Sequence, residues 1–147
     1  MNRTLWVTLV GIALSAATPA VARALRAGSS ARCAEDGARL APRRAVEVEE
    51  ADGRAARLCG IECLERRLHR TDRPAPRSVR VHDEDTGALL DADAAWFVRS
   101  AVVDRATGDR THAFATEAAA RRHAEAFHGR VLPGPGLPAL RAAKEAR

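Results

Sequence analysis

The sequence predicts an α+β domain built from two similar ββαβ units with mainly antiparallel strands. Two observations lead there. Residues 45–81 pass through an alternating strand, a tight Asp-Gly turn, a second strand, an amphipathic helix and a third strand. Residues 96–132 then repeat the same order. A chain of 147 residues suits one compact unit, or two small halves sharing a core.

The N-terminus stands apart from that domain. Asn2 and Arg3 give a positive start, Leu5 to Ala17 is an uncharged apolar run, and Pro19-Ala20-Val21-Ala22 supplies small residues in the A-x-A arrangement. This reads as a secretory signal over residues 1–22, with cleavage after Ala22; an uncleaved anchor is the alternative. Either way a periplasmic or other extracytoplasmic domain is expected. Residues 23–32, rich in Ala, Gly and Ser, read as a flexible lead, and the folded part is expected over 33–132.

In the first unit Val46 and Val48 alternate with Glu47 and Glu49, and Asp52-Gly53 separates this strand from Ala55–Cys59. The period then changes. Ile61, Leu64 and Leu68 recur at three- and four-residue spacing, with Glu62, Glu65, Arg66 and Arg67 on the polar side, so a short helix follows until Pro74 and Pro76. Val79 and Val81 form the returning strand before Thr86-Gly87. In the second unit Trp96–Val98 is a strand that Val102 and Val103 extend, Arg105–Arg110 a polar loop, and His112–Ala115 the next strand. Thr116 is the expected N-cap of a helix along which Ala120, Ala124 and Phe127 share a face, with Gly129 closing it in the left-handed conformation. Arg130–Leu132 is the last strand, and residues 133–147, opening with Pro-Gly-Pro-Gly, read as a flexible tail whose part from Leu137 to Arg147 can form a loose helix that nothing requires to pack.

Composition excludes several functions. The net charge of +5 comes from arginines interleaved with acids along the whole chain, Lys144 is the sole lysine, and tyrosine is absent. A nucleic-acid footprint needs clustered cations and stacking aromatics, so none is expected. No Gly-rich phosphate loop, nucleophile elbow or paired-carboxylate site stands out, which points away from an enzyme. His69, His82, His123 and His128 read as capping or solvated histidines, and Trp96 and Phe97 as core.

The chemistry lies in three cysteines, Cys33, Cys59 and Cys63. An odd number in an oxidising compartment means either one disulfide with a spare thiol or a shared ligand. Cys59 and Cys63 are four apart, a spacing that shares a helix face, at the end of a strand and in the first turn of the next helix, where backbone N–H groups and the dipole favour a thiolate. Thiolates are soft donors that select copper(I) and also suit zinc, which asks for a fourth ligand. His112 is the expected optional ligand, and Asp36 a harder and poorer one. Two other readings stay open on spacing alone: a structural bridge from Cys33 to Cys59 or Cys63, and thiol-disulfide exchange by an activated Cys59 or Cys63.

A family resemblance then enters. The segments Leu58-Cys59-Gly60-Ile61-Glu62-Cys63, Ser78–Val81, Asp91–Val98, His112–Ala115, Glu117–Ala120 and Gly129–Leu132 follow the order seen in NosL-like proteins, the accessory proteins of nitrous oxide reductase. The resemblance implies an exported, non-enzymatic copper(I)-binding protein with two ββαβ units, a metallochaperone whose partner is a copper enzyme or copper transporter that accepts or donates the ion. It spans roughly Cys33 to Leu132. The chain departs from the family where C-x-x-C-G-M is common: Asp36 replaces the second cysteine and Ala38 the methionine, and Ala106 stands at another frequent methionine. Met1 is the only methionine, so no thioether ligand survives in a processed chain. Cys33 also lacks the preceding small apolar residues of a lipid-attachment signal.

Overall fold

The computed structural model describes residues 32–142; the signal segment, all of the lead but Arg32, and residues 143–147 of the tail lie outside the described residues. Strand β1 (Val46–Glu49) buries Val46 and Val48 and turns Glu49 to solvent, the period-two pattern of a half-buried strand. Gly53, at φ +80°, makes the tight turn into β2 (Ala55–Leu58), which pairs antiparallel with β1, Val46 opposite Leu58. Helix α1 (Ile61–Leu68) lays Ile61, Cys63 and Leu64 into the core. Strand β3 (Ser78–His82) then returns antiparallel to the other edge of β1, with Glu47 opposite Arg80. A short β4 (Leu89–Asp91), absent from the expectation, adds to β3.

The second unit has β5 (Trp96–Arg99), β6 (Thr111–Phe114), α2 (Glu117–Ala126) and β7 (Arg130–Val131). The strand orders are β2-β1-β3-β4 and β6-β5-β7, so in both units the first strand is central and the helix precedes the strand that pairs on its far side. The expected two-unit α+β architecture is therefore present. The sheets are joined where Glu84 N–H donates to the Ala113 carbonyl at 2.9 Å and Ala115 N–H to Asp83 Oδ1 at 3.2 Å. One apolar cluster draws on both, with Leu58, Leu64 and Val81 packed alongside Phe97 and Leu132.

Three expectations are corrected. Val102 and Val103 do not extend β5 but sit exposed in the loop. The Asp104 carboxylate accepts from Ala106 N–H at 2.8 Å and Thr107 N–H at 3.1 Å, which turns the chain away from the sheet. Thr116 does cap α2, accepting from Ala119 N–H at 3.2 Å, but its closing left-handed residue is His128 at φ +51°. Gly129 donates back to the Ala124 carbonyl at 2.8 Å in a Schellman arrangement, and the glycine is needed for room: a Cβ there would lie 3.0 Å from the Arg99 carbonyl oxygen. Finally, the segment expected as a flexible tail carries α3 (Leu137–Ala142), whose Ala139 and Leu140 are buried in the main core. Gly136 N–H donates to the Ala95 carbonyl at 2.8 Å and anchors that helix.

Candidate metal centre

Cys33 and Asp36 belong to one tight turn. Cys33 N–H donates to the Ala38 carbonyl at 2.8 Å, Gly37 N–H to the Cys33 carbonyl at 2.9 Å, and Gly37 takes φ +72°. Ala34 N–H donates to the Arg57 carbonyl at 2.9 Å, which docks this turn on β2, two residues before Cys59. Cys59 lies between β2 and the helix, and the N-cap Gly60 is fully extended, at φ −177°. The two cysteines therefore do not share one helix face: Cys59 reaches Cys63 from the strand side.

The helix start is capped from the other unit. Gly60 has no side chain to offer, and Glu62 N–H donates to Asp109 Oδ2 at 3.3 Å from the loop between β5 and β6. That contact ties the position of Cys63 to the second sheet.

One ligand atom from each of Cys33, Asp36, Cys59 and Cys63 lies within 4.8 Å of the other three. The Sγ atoms of Cys59 and Cys63 are 3.0 Å apart, and those of Cys33 and Cys63 3.8 Å. Asp36 Oδ2 accepts from Cys63 Sγ at 3.0 Å and from Cys59 Sγ at 3.6 Å. All three cysteines are free and buried, at 4%, 9% and 2% exposure in chain order. The charged groups touching them are more open: Arg66 donates through Nη2 to Asp36 Oδ2 at 3.1 Å and to Cys63 Sγ at 2.6 Å.

Burial governs the acid-base state here, against the expectation of thiolates ionised by the helix start. Withdrawal from water pushes the Cys59 thiol up to about 11, and burial together with the neighbouring Cys59 thiol and Asp36 carboxylate pushes Cys63 higher still. The bond from Cys63, with the Ala38 N–H, holds the Asp36 carboxyl well below the usual carboxylate range. In the metal-free site Cys59 and Cys63 are thus protonated thiols beside one carboxylate.

The donor set fits a soft ion. Metal-sulfur bonds near 2.3 Å place sulfurs roughly 3.8 Å apart around a tetrahedral ion and about 4.0 Å apart around a trigonal one. Cys33 and Cys63 already stand at that separation, at 3.8 Å, while Cys59 and Cys63 at 3.0 Å need to part by about 1 Å.

His112 is not part of this group. Its Nδ1 lies 3.1 Å from Glu84 Oε2 and its Nε2 3.3 Å from the Val102 carbonyl, so both ring nitrogens are engaged. Glu84 is also bound by the Arg44 guanidinium, and the His112 ring lies against His123 at 4.8 Å between centroids, tilted by 45°. His112 alternates with the core residue Ala113 and shares the face of β6 with Phe114, both lying against His123 of α2, a consequence of strand pairing that spacing does not show. Arg66, read from sequence as polar helix surface, is the contact that was missed. Its signal was the three-residue offset from Cys63, which stacks the two on one helix face.

No protein-family model matches the chain, and no curated protein matches it. Among solved structures, the fold is similar to the crystal structure of the copper chaperone NosL from Shewanella denitrificans, with a TM-score of 0.60 and 18% identity over 68% of this chain and 84% of that one. The two-unit architecture read from the sequence is thus the fold of that chaperone.

Proposed function

We propose that the chain is an exported, non-enzymatic metallochaperone of the NosL-like kind. It holds one copper(I) ion on Cys33, Cys59 and Cys63 and passes it to a copper enzyme or copper transporter by ligand exchange. The observation that carries this reading is the convergence of three sulfurs and one carboxylate within 4.8 Å, delivered by two separate stretches of chain, 33–36 and 59–63. Three soft donors satisfy copper(I), whereas structural zinc asks for four. The fold likeness to a solved copper chaperone supports the same assignment, and the signal-like segment 1–22 supports export. Among the described residues no helix is long and apolar enough to cross a membrane. A partner reaches the sulfurs most directly past the exposed Asp36 and Arg66, since the cysteines themselves are buried.

Anaerobic titration of the reduced protein with copper(I), followed by native mass spectrometry, tests the proposal. One ion per chain is expected, with uptake lost in Cys59→Ser and Cys63→Ser. Absence of stoichiometric uptake, or unchanged uptake in both variants, refutes it.

The 3.0 Å approach of Cys59 and Cys63 supports a second reading, in which these two thiols oxidise to a bridge that fastens the strand end to the helix start. On that reading the reduced protein binds no copper and loses stability on reduction.

A further inference from the structure

We propose that Arg66 sets the metal preference of this site by holding Asp36 out of the coordination sphere; the inference rests on the copper(I) reading above. Arg66 stands one helical turn after Cys63 on α1 and donates from a single nitrogen, Nη2, to Asp36 Oδ2 at 3.1 Å and to Cys63 Sγ at 2.6 Å. The oxygen it holds is the one that lies nearest the sulfurs, 3.0 Å from Cys63 and 3.6 Å from Cys59. The single hard donor of the cluster is therefore engaged by a permanent cation at the atom that would bind metal.

The consequence differs between ions. Copper(I) is satisfied by three sulfurs, so a carboxylate kept on the guanidinium costs it little. Zinc(II) needs a fourth ligand, and Asp36 is the fourth member of this group. To reach zinc through Oδ2, the carboxylate must give up or share its bond with Arg66; Oδ1 lies farther from the sulfurs, 3.9 Å from Cys59 Sγ, and accepts from the Ala38 N–H at 3.0 Å. Arginine suits the task because its guanidinium stays charged at any physiological pH and is weakly enough hydrated to remain paired. Packing does not explain the contact: the Arg66 and Asp36 side chains are 56% and 37% exposed, and neither contributes to the apolar core. Position 36 thus retains a fourth ligand, and position 66 decides whether it is used.

The test compares the reduced full chain with Arg66→Gln, Asp36→Asn and the double variant, each titrated with copper(I) and with zinc(II) against competing chelators. Copper(I) uptake by the unaltered chain tests the underlying reading first. Given that uptake, Arg66→Gln is expected to raise zinc affinity at least tenfold relative to copper(I). Its cobalt(II) derivative is expected to gain the intense visible bands of four-coordinate tetrahedral cobalt. Asp36→Asn in the Arg66→Gln background abolishes both changes. A ratio in Arg66→Gln within threefold of the unaltered chain, or a gain that survives in the double variant, overturns the proposal. Thermal melting of the metal-free variants separates either result from misfolding, which would lower both affinities together.

Discussion

Asp109 approaches Gly60 so closely that a Cβ added at position 60 would lie 2.0 Å from Asp109 Oδ2. The glycine leaves room for a carboxylate from the second unit to cap the helix that carries Cys63 in the first. Gly60→Ala is expected to destabilise the protein by about 1–3 kcal/mol through overpacking. It should also weaken copper(I) binding, because relief of the clash shifts the helix start. Urea unfolding and chelator competition measure the two effects.

Asp109 should make stability fall as pH rises through mildly acidic values. Burial pushes its carboxyl up from 3.8 to about 6, so the folded protein holds a proton that the unfolded chain has released across this range. A carboxyl raised on folding favours the folded state at low pH and loses that contribution as pH climbs from about 4 to 6. Asp109→Asn keeps an oxygen to accept the Glu62 N–H and removes the buried charge. Its stability relative to the unaltered chain should improve by on the order of 2 kcal/mol between pH 4 and 7 in denaturant titrations.

His112→Ala should leave copper(I) stoichiometry intact while destabilising the fold by about 1–3 kcal/mol, since it strips buried hydrogen bonds from Glu84 and the Val102 carbonyl. The loss should depend on pH. Burial lowers the His112 pKa, but the Glu84 carboxylate and the Val102 carbonyl outweigh it and leave the pKa raised above 6.5. The charged pair therefore contributes in full below pH 6.5 and fades as pH rises through the folded value. The stability gap between the two proteins should be widest near pH 6 and narrow in alkali.

Loading should release protons. Cys59 and Cys63 carry thiols raised well above neutrality, and Asp36 is already ionised. Uptake of copper(I) then releases at least the two protons of Cys59 and Cys63 near pH 7, and affinity declines as pH falls. An indicator dye in weak buffer reads the count; release of one proton or none would mean that Cys59 and Cys63 do not both bind.

Much of the fold is legible because the signals are local. The Asp52-Gly53 hairpin, the Ile61-Leu64-Leu68 stripe and the Thr116 cap each declare an element within a few residues. What escapes depends on distant neighbours. Three residues of β4 exist only as partners of β3, and α3 is too short to be stable by itself and is held because Leu140 finds the core that the two units share. In the site, the two cysteines at the helix start announce themselves by spacing. Cys33 and Asp36 come to them through the bond between Ala34 and Arg57, which the sequence does not display. The thiols of Cys59 and Cys63 depart from the sequence expectation for a related reason: the helix start is a local feature, whereas burial, which dominates, belongs to the whole packed structure.

X-ray absorption at the copper edge of the singly loaded, reduced protein tests the central claim most directly. Three sulfur neighbours around one copper(I), with no imidazole scattering, are predicted from the convergence of Cys33, Cys59 and Cys63; two sulfurs, or a histidine nitrogen in the first shell, would contradict it.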